Sequence, residues 1–160
     1  MMQTKNNQKR REVVKVNNIK DTINSLYNPL ILGPVNPEKI REAENKLNLK
    51  FAPDYFEYLQ NYGCLSARGI DLTGITKNKE QNVIMVTQRE KEYNPYILDS
   101  QYVIENLGIG GIIILQDSSG TVYVTAHKMV PKKIHETLAE YINSRNYQQE
   151  HKWYIRAIKR

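Results

Sequence analysis

The side chains that could do chemistry are few and scattered along the chain. His127, His135 and His151 are the only histidines, and no two of them stand four residues apart. No cysteine or acid cluster joins them at ligand spacing, so no metal site is expected. Cys64 is the single cysteine. It would need a histidine beside it in space to act as a nucleophile, and its simpler role is a small apolar residue packed at a helix end. Gly108-Ile109-Gly110-Gly111 superficially resembles a phosphate-binding loop, but that chemistry needs a helix N-terminus next, and a run of three isoleucines follows instead. The carboxylates Asp71, Glu90, Glu92, Asp99 and Asp117 are dispersed, with no pair placed for general acid and base work. No catalytic constellation and no cofactor site is predicted.

Binding is better represented than catalysis. Of 14 aromatic residues, 11 are tyrosines. Tyrosine couples contact area to a polar tip and is enriched at interface hot spots. Most of the eleven are expected at the edge of a core with the hydroxyl in water. Tyr62, Tyr93 and Tyr96 lie near turns, with Arg68, Glu92 and Asp99 close by in sequence. These six residues are the candidate partner surface.

A chain of 160 residues is one domain by length. It can bury roughly 68–70% of its unfolded surface, so it needs no disulfide or metal staple. One cysteine permits no internal disulfide, which fits a reducing compartment. No apolar run approaches the ~20 residues of a membrane span. The polar, basic start lacks the apolar segment of a secretory signal, so a cytoplasmic location is expected. The net charge is +6, but it is unevenly placed. Residues 1–20 are net +5 and residues 141–160 net +4, leaving 21–140 at −3. A nucleic-acid groove concentrates Lys and Arg on a folded face, so basic ends around a mildly acidic body argue against that partner.

The best-specified local structure runs from Asn36 to Gly63. Asn36 is a good N-cap and Pro37 sits at the first helical position, where its missing N–H costs nothing. Ile40, Ala43 and Leu47 form an apolar stripe, and Leu49 and Phe51 lead through a corner. Pro53 and Asp54 restart the chain. Tyr55, Phe56, Leu59 and Tyr62 make a wide apolar face, and Gly63 stops the second helix. Upstream, Val16, Ile19, Ile23 and Leu26 predict an earlier helix ended by Asn28-Pro29, after a flexible basic segment over residues 1–11. Leu30 to Val35 reads as an apolar linker.

Downstream, Gly69 to Ile75 and Val83 to Val86 read as strands. Thr87-Gln88-Arg89-Glu90 matches a capping box and predicts a short helix to about Tyr93. Tyr102 to Glu105 is a strand, and Ile112 to Leu115 is placed as the central one. Asp117 to Gly120 is a turn whose hairpin partner is Thr121 to Thr125. Val130-Pro131 leads to a last helix with Ile134, Leu138, Tyr141 and Ile142 on one face, and the tail carries Trp153, Ile155 and Ile158. Consecutive strands without helical crossovers predict an α+β fold: one mixed, largely antiparallel sheet flanked by helices, in a single domain over 12–160.

The helix pair and the later hairpin resemble the SUKH superfamily, bacterial immunity proteins related to a fungal cell-wall-assembly regulator. Ile40, Glu44 and Leu47 match the apolar-Glu-Leu pattern of that family's first helix. Pro53, Tyr55 or Phe56, Leu59, Asn61 and Gly63 match its second. Gly108–Gly111, Asp117–Gly120 and Val122-Tyr123 match the later half, so the resemblance spans Asn36 to Ile142. Ala52 stands where leucine is usual before the proline, and Tyr62 interrupts the usual Asn-Gly. The resemblance implies helices packed on a sheet. It also implies a non-catalytic role in binding and neutralising a cognate toxin protein, without saying which toxin. The alternatives are a nucleic-acid-binding module using the basic ends, a regulatory scaffold like the fungal relatives, and a small enzyme using Cys64 or a histidine.

Overall fold

The computed structural model describes residues 18–147 and Ile158. Its architecture is built on the helix pair. Helix α1 (Ile19–Asn24) is capped by Asn18, whose side chain accepts from Lys20 N and Asp21 N. Helix α2 (Pro37–Leu47) begins at the Asn36 cap and ends at Asn48, which takes the left-handed conformation. Helix α3 (Pro53–Tyr62) follows the corner and ends at Gly63, with φ of 73°. A side chain at Gly63 would place its Cβ 2.2 Å from Gly33 O, so glycine is required there by space as well as by conformation. The corner is held by Glu44, whose carboxylate accepts from Phe51 N at 2.8 Å.

The α+β class of the sequence holds, and the strands divide between two antiparallel sheets. Strands β1 (Leu30–Ile31), β2 (Leu65–Ala67) and β3 (Ile70–Asp71) form the first, in that order. The second runs β4 (Tyr102–Asn106), β5 (Ile113–Gln116), β6 (Val122–Thr125) and β7 (Lys132–His135), also in chain order. An isolated antiparallel bridge between Leu72 and Glu105 joins the two, and the Gly74–Asn82 bridge is parallel. The isoleucine run is an interior strand whose four residues are all buried.

Two expectations are corrected. Val83 to Val86 is not a strand: it is the first turn of helix α4 (Val83–Tyr93). Asn82 is the cap, accepting from Ile84 N and Met85 N, and Val83, Val86, Thr87 and Glu90 share the buried face. A short apolar run cannot distinguish a buried strand from a buried helical turn by periodicity. Thr87 accordingly caps nothing. Its hydroxyl accepts from Val103 N at 3.0 Å and ties α4 to β4. Likewise β7 intervenes before helix α5 (Leu138–Tyr147), so Ile134 lies on a strand while Leu138, Tyr141 and Ile142 are buried from the helix. The Leu30–Val35 linker contains β1. Ile158 packs against the main core, whereas Trp153, Ile155 and the segment 1–11 lie outside the described residues.

Buried polar groups stitch the layers together. Tyr102 Oη accepts from Ala52 N at 2.9 Å and donates to Gln116 Oε1 at 2.8 Å. Gln116 Nε2 donates to Asp54 Oδ1 and to Gly120 O, and Asp54 Oδ2 accepts from Leu138 N at 2.9 Å. One chain of hydrogen bonds thus joins the helix-pair corner, the interior strand, the 117–120 turn and the start of α5. Burial raises the Asp54 carboxyl above its usual range, opposed by these hydrogen bonds. On the other side, Glu105 is 2% exposed and meets the Arg145 guanidinium, Tyr141 Oη and Asp71 N, while Arg145 also reaches Gly69 O. No buried side-chain nitrogen or oxygen among the described residues lacks a partner.

Candidate protein-binding surface

Hairpin geometry brings the 107–112 and 126–131 turns to the same end of the four-stranded sheet. Helix α4 packs on this sheet through Val86, which clusters with Ile97, Val103, Ile113 and Leu115. Its C-terminus brings Tyr93 and Asn94 to that end, and the chain then runs back to Tyr102 at the start of β4.

The decisive residue is Asn94, 2% exposed at the end of α4. Its Nδ2 donates to Ala126 O at 3.0 Å, Met129 O at 3.1 Å and Thr125 Oγ1 at 3.2 Å. Its Oδ1 accepts from Tyr96 N at 3.0 Å. One amide thereby pins the turn after α4 to the turn after β6. Thr125 Oγ1 also donates to Met129 O at 2.7 Å, which closes the second turn on itself.

Two tyrosines are presented on this support. Tyr93 is 57% exposed and Tyr96 50% exposed. The Tyr93 ring lies 5.6 Å from that of His127. The imidazole in turn covers Gly111, where a Cβ would stand 3.5 Å from the ring. Ile109 and Val130 are exposed in the two turns, and Leu98 is exposed in the 98–101 turn that precedes β4. Lys91 Nζ donates to Asp99 O at 2.9 Å, and the Gln101 side chain accepts from Leu98 N at 2.8 Å. Beneath them Glu90 is buried, 3.4 Å from Arg89 Nε and 3.9 Å from His127 Nε2. The result is an aromatic and aliphatic surface on backbone held from below, which lowers the entropy lost when a partner docks.

Glu92, Tyr93, Tyr96 and Asp99 are all exposed on α4 and the turn after it. Tyr62 and Arg68 belong elsewhere. Tyr62 is half-buried at the end of α3, stacked on Tyr58, and Arg68 is exposed in the β2–β3 turn of the other sheet. Missing from the sequence-derived set were His127, Ile109 and Val130. The only local hint was that they flank glycine or proline turns.

Cys64 and His135, two of the groups considered for catalysis, make contacts within the fold, and His151 lies outside the described residues. Cys64 is buried, its Sγ 3.5 Å from Leu72 O, and burial raises its thiol above the usual range. His135 stands edge-on to Tyr141, and burial lowers its imidazole below the usual value. Tyr55 and Tyr58 Oη both meet Thr73, and burial raises both phenols. Among the described residues no group of three His, Cys, Asp or Glu side chains is placed to hold a metal ion. None of their helices is long and apolar enough to cross a membrane.

The SUKH_5 family model, described as SMI1-KNR4 cell-wall, matches residues 12–147. The chain belongs to this family. No curated protein matches it. The match begins well before the helix pair, so the SUKH unit includes α1 and β1 as well as the Asn36 to Ile142 region. Glu44 of the SUKH helix-pair pattern is the residue that ties the corner to Phe51 N. Ala52 is fully buried, with its N–H bonded to Tyr102 Oη.

Proposed function

We propose that this SUKH domain acts by binding, and that it neutralises a toxic protein by occluding its working surface, with no covalent step of its own. The observation that carries the reading is the exposed Tyr93 and Tyr96 pair on a turn anchored by the buried amide of Asn94. Loops held by a rigid scaffold are where binding residues concentrate, and tyrosine is among the residues richest at hot spots. Glu92 and His127 form the polar surroundings of the pair, and Ile109 and Val130 add apolar area. Family membership supports a protein partner. The charge of −3 over residues 21–140 supports a basic partner, because opposite charge speeds encounter.

The test is neutralisation in cells. A captured protein that is toxic alone and silenced by co-expression of this chain supports the reading. Replacing both tyrosines by alanine should abolish silencing while the fold is kept. Silencing that survives the double replacement would move the contact surface elsewhere, and a partner that is not toxic would remove the neutralising role.

A further inference from the structure

A second surface lies at the opposite kind of place, the free edge of the small sheet. Strand β1 pairs with β2 in the register Leu30 with Ser66 and Ile31 with Leu65. Leu32 N donates to Cys64 O at 3.0 Å, so the pairs at 30 and 32 are the hydrogen-bonded ones. The N–H and C=O of Ile31 therefore point away from β2. Leu65, opposite Ile31, directs its own carbonyl to Leu72 N on the far side, as that alternation requires. Among the described residues no strand pairs with the free edge of β1.

This edge is two residues long and flanked by prolines, but it lacks the charged residues that usually protect an edge. Sheet edges are normally blunted by charge, above all by lysine. Here Thr22 to Pro37 is the longest stretch of the chain without a charged residue, at 16 residues. Within it Leu30 is 75% exposed, Tyr27 73%, Leu32 62% and Ile31 43%. Pro29 and Pro34 bracket the exposed run.

We infer that β1 is the contact between two copies of this chain, paired antiparallel about a twofold axis through Ile31. The axis sets Ile31 opposite Ile31 of the second copy, so each donates to and accepts from the other in one reciprocal pair. The patch is then complementary to itself, as a twofold interface requires. The four exposed side chains leave on the order of 500 Å² of each copy in water, which sets an upper bound of about 1,000 Å² on the area that pairing removes, the size at which specific interfaces begin. The flanking prolines lack N–H groups and stop the pairing from spreading. The small sheet offers its β1 edge once per chain, so the contact closes as a dimer. With no charge in the segment, the association should be nearly insensitive to salt. It is independent of the Tyr93 surface.

Analytical ultracentrifugation from about 1 to about 200 µM tests this range of affinity. The expected result is a monomer–dimer equilibrium that moves little with salt. Ile31→Lys and Leu30→Lys should each weaken it at least tenfold while circular dichroism stays unchanged, and Tyr93→Ala should leave it alone. If one lysine variant fails to fold, Tyr27→Lys reads the same patch from outside the strand. A wild-type chain that is monomeric throughout, or a dimer that all three lysine variants retain, would overturn the inference.

Discussion

Replacing Asn94 probes the support of the proposed binding surface directly. The amide supplies two N–H donors to three acceptors, Thr125 Oγ1, Ala126 O and Met129 O, and one acceptor to Tyr96 N. Met129 O keeps a bond from Thr125 Oγ1 after truncation, so Ala126 O and Tyr96 N lose most. With about 1 kcal/mol net per neutral hydrogen bond, and more where a group stays buried and unpaired, Asn94→Ala should cost about 2–4 kcal/mol. Asn94→Asp keeps the shape but turns the donor nitrogen into a second acceptor facing two carbonyls. It should cost more than alanine, by about 1–2 kcal/mol. Urea unfolding followed by circular dichroism gives both values, and hydrogen exchange at the Tyr96 amide should accelerate in both variants. A loss below about 0.5 kcal/mol for alanine, or an aspartate variant no worse than alanine, would refute the assignment of Asn94 as the pin.

Other predictions concern the interior and the charge of the body. Arg145→Met leaves Glu105 buried without its cation and should destabilise by about 3–5 kcal/mol, with Glu105→Gln in the same chain recovering part of the loss; urea midpoints decide. Gly63→Ala should cost at least about 2 kcal/mol, because the new Cβ collides with Gly33 O at a positive φ. The His135 imidazole is lowered by burial, so the unfolded chain binds its proton first as the pH falls below 6.5. Its contribution to stability is therefore present above 6.5 and is lost as the pH drops through the folded value, and His135→Phe should flatten melting temperature against pH in that window. Association with a basic partner should slow as salt rises, measured by stopped flow, and a rate indifferent to ionic strength would remove electrostatic steering.

What was legible in the sequence follows from how local each signal is. The helix pair could be read residue by residue because its caps, prolines and terminal glycine act within a few positions. The interior strand and its hairpin were legible for the same reason. Val83 to Val86 was not, since four apolar residues suit a strand or a helical turn equally, and only packing on β4 and β5 decides. Strand β7 was hidden by two lysines and by its pairing with β6. Tyr93 and Tyr96 could be found from the Asn94-Pro95 turn beside them. The role of Asn94 itself could not, because its three acceptors lie over 30 residues away in sequence. Grouping Tyr62 and Arg68 with them followed composition, and the two-sheet topology assigns those residues to another part of the molecule.

Binding of a protein partner through the Tyr93 and Tyr96 surface can be tested in cell extract. The most direct measurement is a pull-down with the tagged chain from its own cell extract, at low and moderate salt, beside the Tyr93→Ala, Tyr96→Ala double variant. One stoichiometric protein, toxic when expressed alone, should be held by the wild type at both salts and lost by the variant. Nucleic acid that elutes as salt rises, or a protein retained equally by the double variant, would contradict it.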